Sequence, residues 1–156
     1  MNYTIRQATL ADLPVLLRFE QGVIGTERRF DPTIRDGLVH YYDIAGMLAA
    51  ENVHFLVAEC GADVVGCGYA RIDHSEHFLR HPVHGYLGFM YVDPGHRGRG
   101  IIGLVINALV EWCRAQGLTE FRLEVYSENQ AAVSAYARAG FTSHMLEMRM
   151  SVSPPR

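Results

Sequence analysis

Three features of the chain predict an α/β fold. A run of apolar and aromatic residues, Tyr86 to Val92, suits a buried strand. Asp93-Pro94-Gly95 breaks it, and Ile101, Ile102, Val105, Ile106, Leu109 and Val110 then recur at helical spacing. Alternating stretches elsewhere are interspersed with helical ones. No repeat or linker divides the chain, so a single domain over residues 1–156 is expected.

Tyr3 to Ala8 alternates and suits a first strand. Thr9-Leu10-Ala11-Asp12 has the form of a capping box, and Leu13, Leu16, Leu17 and Phe19 carry a first helix to about Gln21, before Gly22 and Gly25. Residues 22–46 are irregular and rich in acids, arginines and tyrosines. They read as a solvated connection, with a substrate-facing flap as the functional alternative and no single residue singled out. Val53 to Glu59 and Val64 to Ile72 form a hairpin about Gly61-Ala62-Asp63. His74, His77, His81 and His84 read as an exposed loop, and no metal is assigned, because neither Cys nor a spaced carboxylate completes a ligand set. After the long helix, Gln116-Gly117 is a stop. Phe121 to Tyr126 alternates as a fifth strand, Gln130 to Ala139 is a helix closed by Gly140, and Phe141 to Met150 alternates loosely as a last strand or pair.

Composition narrows the classes. With 49% hydrophobic and 20% charged residues, the chain is not disordered. A net charge of −3 argues against a general nucleic-acid binder. All 14 basic residues are Arg. Three cysteines without C-x-x-C spacing point to a reducing compartment. The first residues carry early charge and no apolar core, so they are not read as a signal peptide, and no apolar run approaches membrane-spanning length. A soluble cytoplasmic protein is expected.

Two stretches carry chemistry. In His96-Arg97-Gly98-Arg99-Gly100-Ile101-Ile102, glycines and arginines lie between a strand and a helix start. The amides of a helix's first turn have no intrahelical acceptor and the helix dipole favours an anion there, while glycine leaves room for close approach. Arginines add forked donors. The stretch reads as a pyrophosphate cradle. Further on, Asn129, Ala132 and Tyr136 share one helix face, and Glu124 lies near the end of the preceding strand, where open α/β sheets face their ligand crevice. Read literally, Gly98-x-Gly100-x-x-Gly103 with Glu124 beyond it is also a dinucleotide fingerprint, but its late position, its flanking arginines and the second stretch argue against an oxidoreductase.

Together, Val92-Asp93-Pro94-Gly95-His96-Arg97-Gly98-Arg99-Gly100-Ile101 and Asn129-x-x-Ala132-x-x-x-Tyr136-x-x-x-Gly140-Phe141 resemble the GCN5-related N-acetyltransferase superfamily; the opening Ile5 to Thr9 with Asp12-Leu13 is similar, more weakly. The resemblance implies a mixed, mostly antiparallel sheet of six to seven strands with about four helices, splayed at the central strand to take acetyl-CoA. It implies transfer of acetyl from acetyl-CoA to a primary amine of a small molecule or peptide, with no metal, nucleic acid or membrane. A homodimer stays open. Met90, Tyr91 and Val92 match the strand that pairs with the pantetheine arm, Arg97, Gly98, Arg99, Gly100, Ile101 and Ile102 the pyrophosphate loop, and Asn129 the cofactor arm or a helix cap. Ile102 stands where the motif has Gly or Ala, and its bulk is expected to tighten a phosphate's approach. Tyr136 matches the general acid and Glu124 a general base whose partial burial would lift its pKa, the alternative being a strand carboxylate paired with Arg122. A coenzyme A-binding module without catalysis is the reading from another class.

Overall fold

The computed structural model describes residues 1–154. Its elements are β1 (Tyr3–Gln7), α1 (Leu13–Glu27), α2 (Ile44–Ala49), β2 (Val53–Cys60), β3 (Asp63–His74), β4 (Val83–Val92), α3 (Ile101–Ala115), β5 (Phe121–Arg122) and α4 (Gln130–Arg138). One sheet runs in the order β1-β2-β3-β4-β5. The first three pairings are antiparallel and β4–β5 is parallel, so the sheet is mixed as expected.

The alternation of β2 explains the layers. Phe55 and Val57 point to one face, with Leu16 and Phe19 of α1 and Ile44 of α2. Leu56 and Ala58 point to the other, with Ile101, Val105, Ile106, Leu109 and Cys113 of α3. The helices therefore cover both faces, and Tyr136 of α4 packs on the α3 side. The first turn is locked by charge. Arg6 grips Asp12 with two hydrogen bonds of 2.8 and 2.9 Å, and the Thr9 amide donates to the same carboxylate at 2.7 Å. Arg6 is the main cause holding the Asp12 carboxyl below the usual range.

Three expectations are corrected. The first helix does not stop near Gln21 but runs to Glu27. Gly22 is there for packing, since a Cβ at that position would lie 2.6 Å from the Tyr91 ring. The fifth strand pairs only at Phe121 and Arg122, because β4 and β5 diverge beyond Tyr86. Phe141 to Met150 forms no strand among the described residues, so the sheet has five strands rather than six or seven.

The central irregularity lies in β4. Tyr69 pairs with Gly88 and Cys67 with Tyr91, so β4 spends three residues where β3 spends two. Phe89 takes up the extra residue at φ 54°, a left-handed conformation that a bulky side chain seldom adopts. It is held by packing. Its ring is 3% exposed, stacks on Tyr42 at 4.6 Å and meets Phe55 edge-on at 5.8 Å.

Candidate active site

The bulge rephases the end of β4. The Asp93 amide bonds the Val65 carbonyl of β3 at 2.8 Å. By strand alternation Tyr91 also turns its backbone to β3, and Met90 and Val92 turn theirs to the opposite, open edge. Of the three β4 positions expected to meet the acyl donor, Met90 and Val92 thus present peptide groups to the crevice. Tyr91 instead packs its ring on Phe19, at 4.7 Å. Arg97 crosses the crevice mouth, its Nε donating to the Val92 carbonyl at 2.8 Å and its guanidinium lying 5.6 Å from the Tyr91 ring centroid.

At the head of α3, Gly98 and Gly100 have φ of 75° and 79°, which a side chain would strain, and no atom lies within 4 Å of where either Cβ would be. This leaves a bare concavity beside the amides of Ile101, Ile102 and Gly103, which the geometry of any helix leaves without intrahelical acceptors. Arg99 and His96 are tied to the Tyr3 hydroxyl at 3.2 and 3.1 Å, so the loop is braced from β1. The Ile102 side chain packs on the α3-side core, which turns its bulk away from that concavity. The donor set and the space fit a diphosphate. Asn129 caps α4, accepting from the Ala132 amide at 3.3 Å.

Beyond the end of β4–β5 pairing, the loop after α1 reaches the chain after β5, where Phe30 stacks on Tyr126 at 6.1 Å. Tyr136 is half-buried in the α3-side layer, and burial first, then the Glu27 carboxylate, pushes its phenol up to about 12. Glu27 comes from α1 on the other face. Desolvation pushes its carboxyl above the usual range, and the Tyr41 hydroxyl pulls it back. Tyr41 is in turn raised by burial and by Glu27. Glu20, fully buried, holds this wall in place, accepting from His40 Nδ1 at 2.7 Å and from the Tyr41 and Tyr42 amides at 2.9 Å each. Asp31 accepts from the Tyr126 hydroxyl at 3.3 Å and from Arg149 at 2.8 Å. Thr33 first, then Arg149, holds its carboxyl well below the usual range.

Glu124 is exposed, so the partial burial expected of it is absent. Neither is it paired with Arg122, which grips Glu76 with two hydrogen bonds of 3.0 and 2.8 Å. Glu124 instead faces Tyr86, whose phenol is raised by burial first and by Glu124 second. Arg28 donates to the carbonyls of Arg35 and Gly37, which commits it to the loop rather than to a ligand. The sequence offers Glu27, with Glu20, Asp31 and Asp43, only as an acid that could favour a cationic amine and gives it no place in the chemistry, although a signal exists: it continues the buried stripe Leu16, Glu20, Ile24 along α1. The histidines do not converge. His84 is buried against Ser75 Oγ at 2.8 Å, and among the described residues no group of three or more His, Cys, Asp or Glu side chains is placed to hold a metal.

Known proteins resemble this chain in sequence and in fold. The family model described as acetyltransferase (GNAT) family matches residues 23–141. An uncharacterized N-acetyltransferase of Bacillus subtilis is 41% identical over 59 residues, 38% of this chain and 24% of that protein, so the match spans about a quarter of its length. The L-methionine sulfoximine/L-methionine sulfone acetyltransferase of Pseudomonas aeruginosa is 29% identical over 145 residues, covering 90% of this chain and 81% of that one. A crystal structure of a predicted acetyltransferase from Clostridium acetobutylicum with acetyl-CoA superposes with a TM-score of 0.73 at 17% identity, covering 96% of each chain.

Proposed function

From the premise that this chain belongs to the acetyltransferase (GNAT) family and is an acetyl-CoA-dependent N-acetyltransferase, we propose that its acceptor is a small molecule bearing a primary ammonium, deprotonated in the crevice by Glu27. What supports this is that the Glu27 charge is felt at Tyr136, beside the hydrogen bond from the Tyr126 hydroxyl to Asp31 that joins the loop after α1 to the chain after β5. A carboxylate lifted by desolvation is suited to take a proton near neutrality, which a free carboxylate does poorly. Glu124 at the exposed rim is the second candidate for that proton, or a first docking point for the cation.

The chain's groups then divide the reaction. Gly98 and Gly100 leave room for the diphosphate, the first amides of α3 and Arg97 and Arg99 bind it, and Met90 and Val92 align the acyl arm. A β4 amide donates to the carbonyl oxygen as charge develops there. The amine forms a C–N bond, the C–S bond breaks, and Tyr136 donates to the departing sulfur. With its phenol pushed up to about 12 against a thiol near 8.5, Tyr136 acts better as a hydrogen-bond donor to a thiolate than by complete proton transfer. The phenols and carboxylates of Tyr41, Tyr86, Tyr126, Glu27, Asp31 and Glu124 favour a cationic acceptor. The Pseudomonas relative is named for acetylation of L-methionine sulfoximine and L-methionine sulfone, so amino acids stand beside polyamines, aminoglycosides and peptide N-termini in the panel to test.

To this reading belong a single domain over residues 1–156, a homodimer and a cytoplasmic setting. No helix among the described residues is long and apolar enough to cross a membrane. Thiol release from acetyl-CoA across the panel tests it. A cationic amine should give turnover that Glu27→Gln abolishes. Preference for a carboxylate acceptor without an amine, or full activity in Glu27→Gln, overturns the assignment.

A further inference from the structure

We propose that the acceptor is a linear polyamine, its reacting nitrogen at Glu27 and a second ammonium at Glu124, with the methylenes between them laid along a row of tyrosine rings. This deepens the proposed function and rests on it. The row is built from separate parts of the chain. Tyr41 and Tyr42 lie in the connection between α1 and α2, Tyr69 on β3 and Tyr86 on β4. Ring centroids are 5.8 Å apart from Tyr41 to Tyr42, 6.0 Å from Tyr42 to Tyr69 and 6.5 Å from Tyr69 to Tyr86. Tyr69 is 3% exposed and forms the floor, whereas Tyr41, Tyr42 and Tyr86 keep part of their surface open. Gly88, opposite Tyr69 on β4, makes room for that floor, since a Cβ there would lie 2.6 Å from the Tyr69 hydroxyl.

A carboxylate stands at each end of the row. Beyond burial, the first cause in each case, the Glu27 charge raises the phenols of Tyr41 and Tyr42, and the Glu124 charge those of Tyr86 and Tyr69. Neither Glu27 nor Glu124 forms an ion pair among the described residues, although the acids around them do: Asp31 with Arg149, Asp73 with Arg71 and Glu76 with Arg122. Two unpaired carboxylates joined by aromatic surface match two cations joined by an apolar chain. Phenol rings suit both parts, since their faces attract cations and their bodies pack on methylenes. Arg71 shows the attraction, its guanidinium lying 5.8 Å from the Tyr69 centroid and 5.1 Å from that of Tyr86. Its charge is engaged by Asp73 through hydrogen bonds of 2.7 and 3.0 Å, which leaves the Glu124 charge uncompensated. A monoamine fills only the Glu27 end, and a hydroxyl-rich amine sets polar groups against the rings.

Steady-state kinetics of the full chain with spermidine and with n-butylamine test this, because n-butylamine keeps a reacting amine and lacks the second charge. Spermidine should have a kcat/KM ~10-fold higher or more, mostly through a lower KM, since the far end binds ground state and transition state alike. Glu124→Gln, a change at an exposed side chain, should cut that preference to ~3-fold or less by raising the KM for spermidine. Equal efficiency of the two amines, or a preference that Glu124→Gln leaves intact, overturns the inference. Turnover of neither, with another amine of the panel accepted, also overturns it and leaves the proposed function standing. Turnover of no amine at all overturns both.

Discussion

Replacing Phe89 by alanine and by glycine separates two effects that most buried sites confound. The ring is 3% exposed and stacked on Tyr42, so Phe89→Ala should lose about 3–5 kcal/mol of stability. In an ordinary strand, a further change from alanine to glycine costs roughly 0.5–1 kcal/mol more in chain entropy. Here the backbone sits at φ 54°, which costs a residue with a Cβ about 1–2 kcal/mol. Glycine escapes that strain. The order therefore inverts, and Phe89→Gly should be more stable than Phe89→Ala by about 0.5–1 kcal/mol. For a chain of 156 residues that corresponds to a Tm higher by about 1–4 °C, readable by thermal or urea unfolding. Because the glycine variant keeps the bulge, it should also keep more of the wild-type KM for acetyl-CoA than the alanine variant does. Should the glycine variant melt below the alanine variant, β4 has no left-handed residue at this position, and the argument that Met90 and Val92 face the crevice falls with it.

Three further substitutions probe the crevice. Glu27→Gln should lower kcat about 10²–10³-fold and remove the acid limb of the pH–rate profile. Its carboxyl is raised in the folded chain, so the stability associated with it is present at low pH and lost as pH rises through the folded value. The glutamine variant should accordingly melt above the wild type near pH 8 and with it near pH 4; melting below the wild type near pH 8 would contradict the desolvation. Tyr136→Phe should lower kcat by about 10²-fold with the KM for acetyl-CoA nearly unchanged. Since burial pushes this phenol up to about 12, it should give the wild type no alkaline limb below about pH 10, and a limb there that Tyr136→Phe removes would place the phenol in water. Gly100→Ala, with φ at 79° and its Cβ in the phosphate's space, should raise the KM for acetyl-CoA about 10-fold or more. Equal affinity by titration would move the diphosphate elsewhere.

What was legible in the sequence was local. Gly98 and Gly100 announce a turn and a helix start through their own backbone freedom, and Asn129 announces a cap through its own side chain. Gly22 misled because it looks like a helix stop, whereas its role is set by Tyr91, far along the chain. Glu27 was hidden for the same reason. Its burial comes from the loop that Glu20 pins down, and nothing in the neighbouring residues encodes that loop's path. Arg122 illustrates the converse error. Two residues from Glu124 on an alternating stretch, it seemed to share a face with it, yet β5 ends at Arg122 and the guanidinium turns to Glu76. The last stretch shows a third limit. Alternation from Thr142 to Val152 encodes a strand's two faces but not what lies against them.

These pieces share one cause, the gap in the sheet. Helices on opposite faces of a continuous sheet have their side chains separated by the sheet itself, because successive residues of a strand point to opposite faces. Glu27 belongs to the α1 face and Tyr136 to the α3 face, yet each carboxylate-phenol influence is felt across. The sheet is open beyond Tyr86, because β4 and β5 share only two residue pairs before diverging. The Phe89 bulge lies just past that point and turns the next peptide groups to the gap. The proposed base lies on one face, the proposed hydrogen-bond donor on the other, and the Met90 and Val92 peptide groups border the gap between β4 and β5. The residue at φ 54° thus carries the bulge that turns the Met90 and Val92 peptide groups to this gap, so flattening β4 at Phe89 should cost acetyl-CoA affinity.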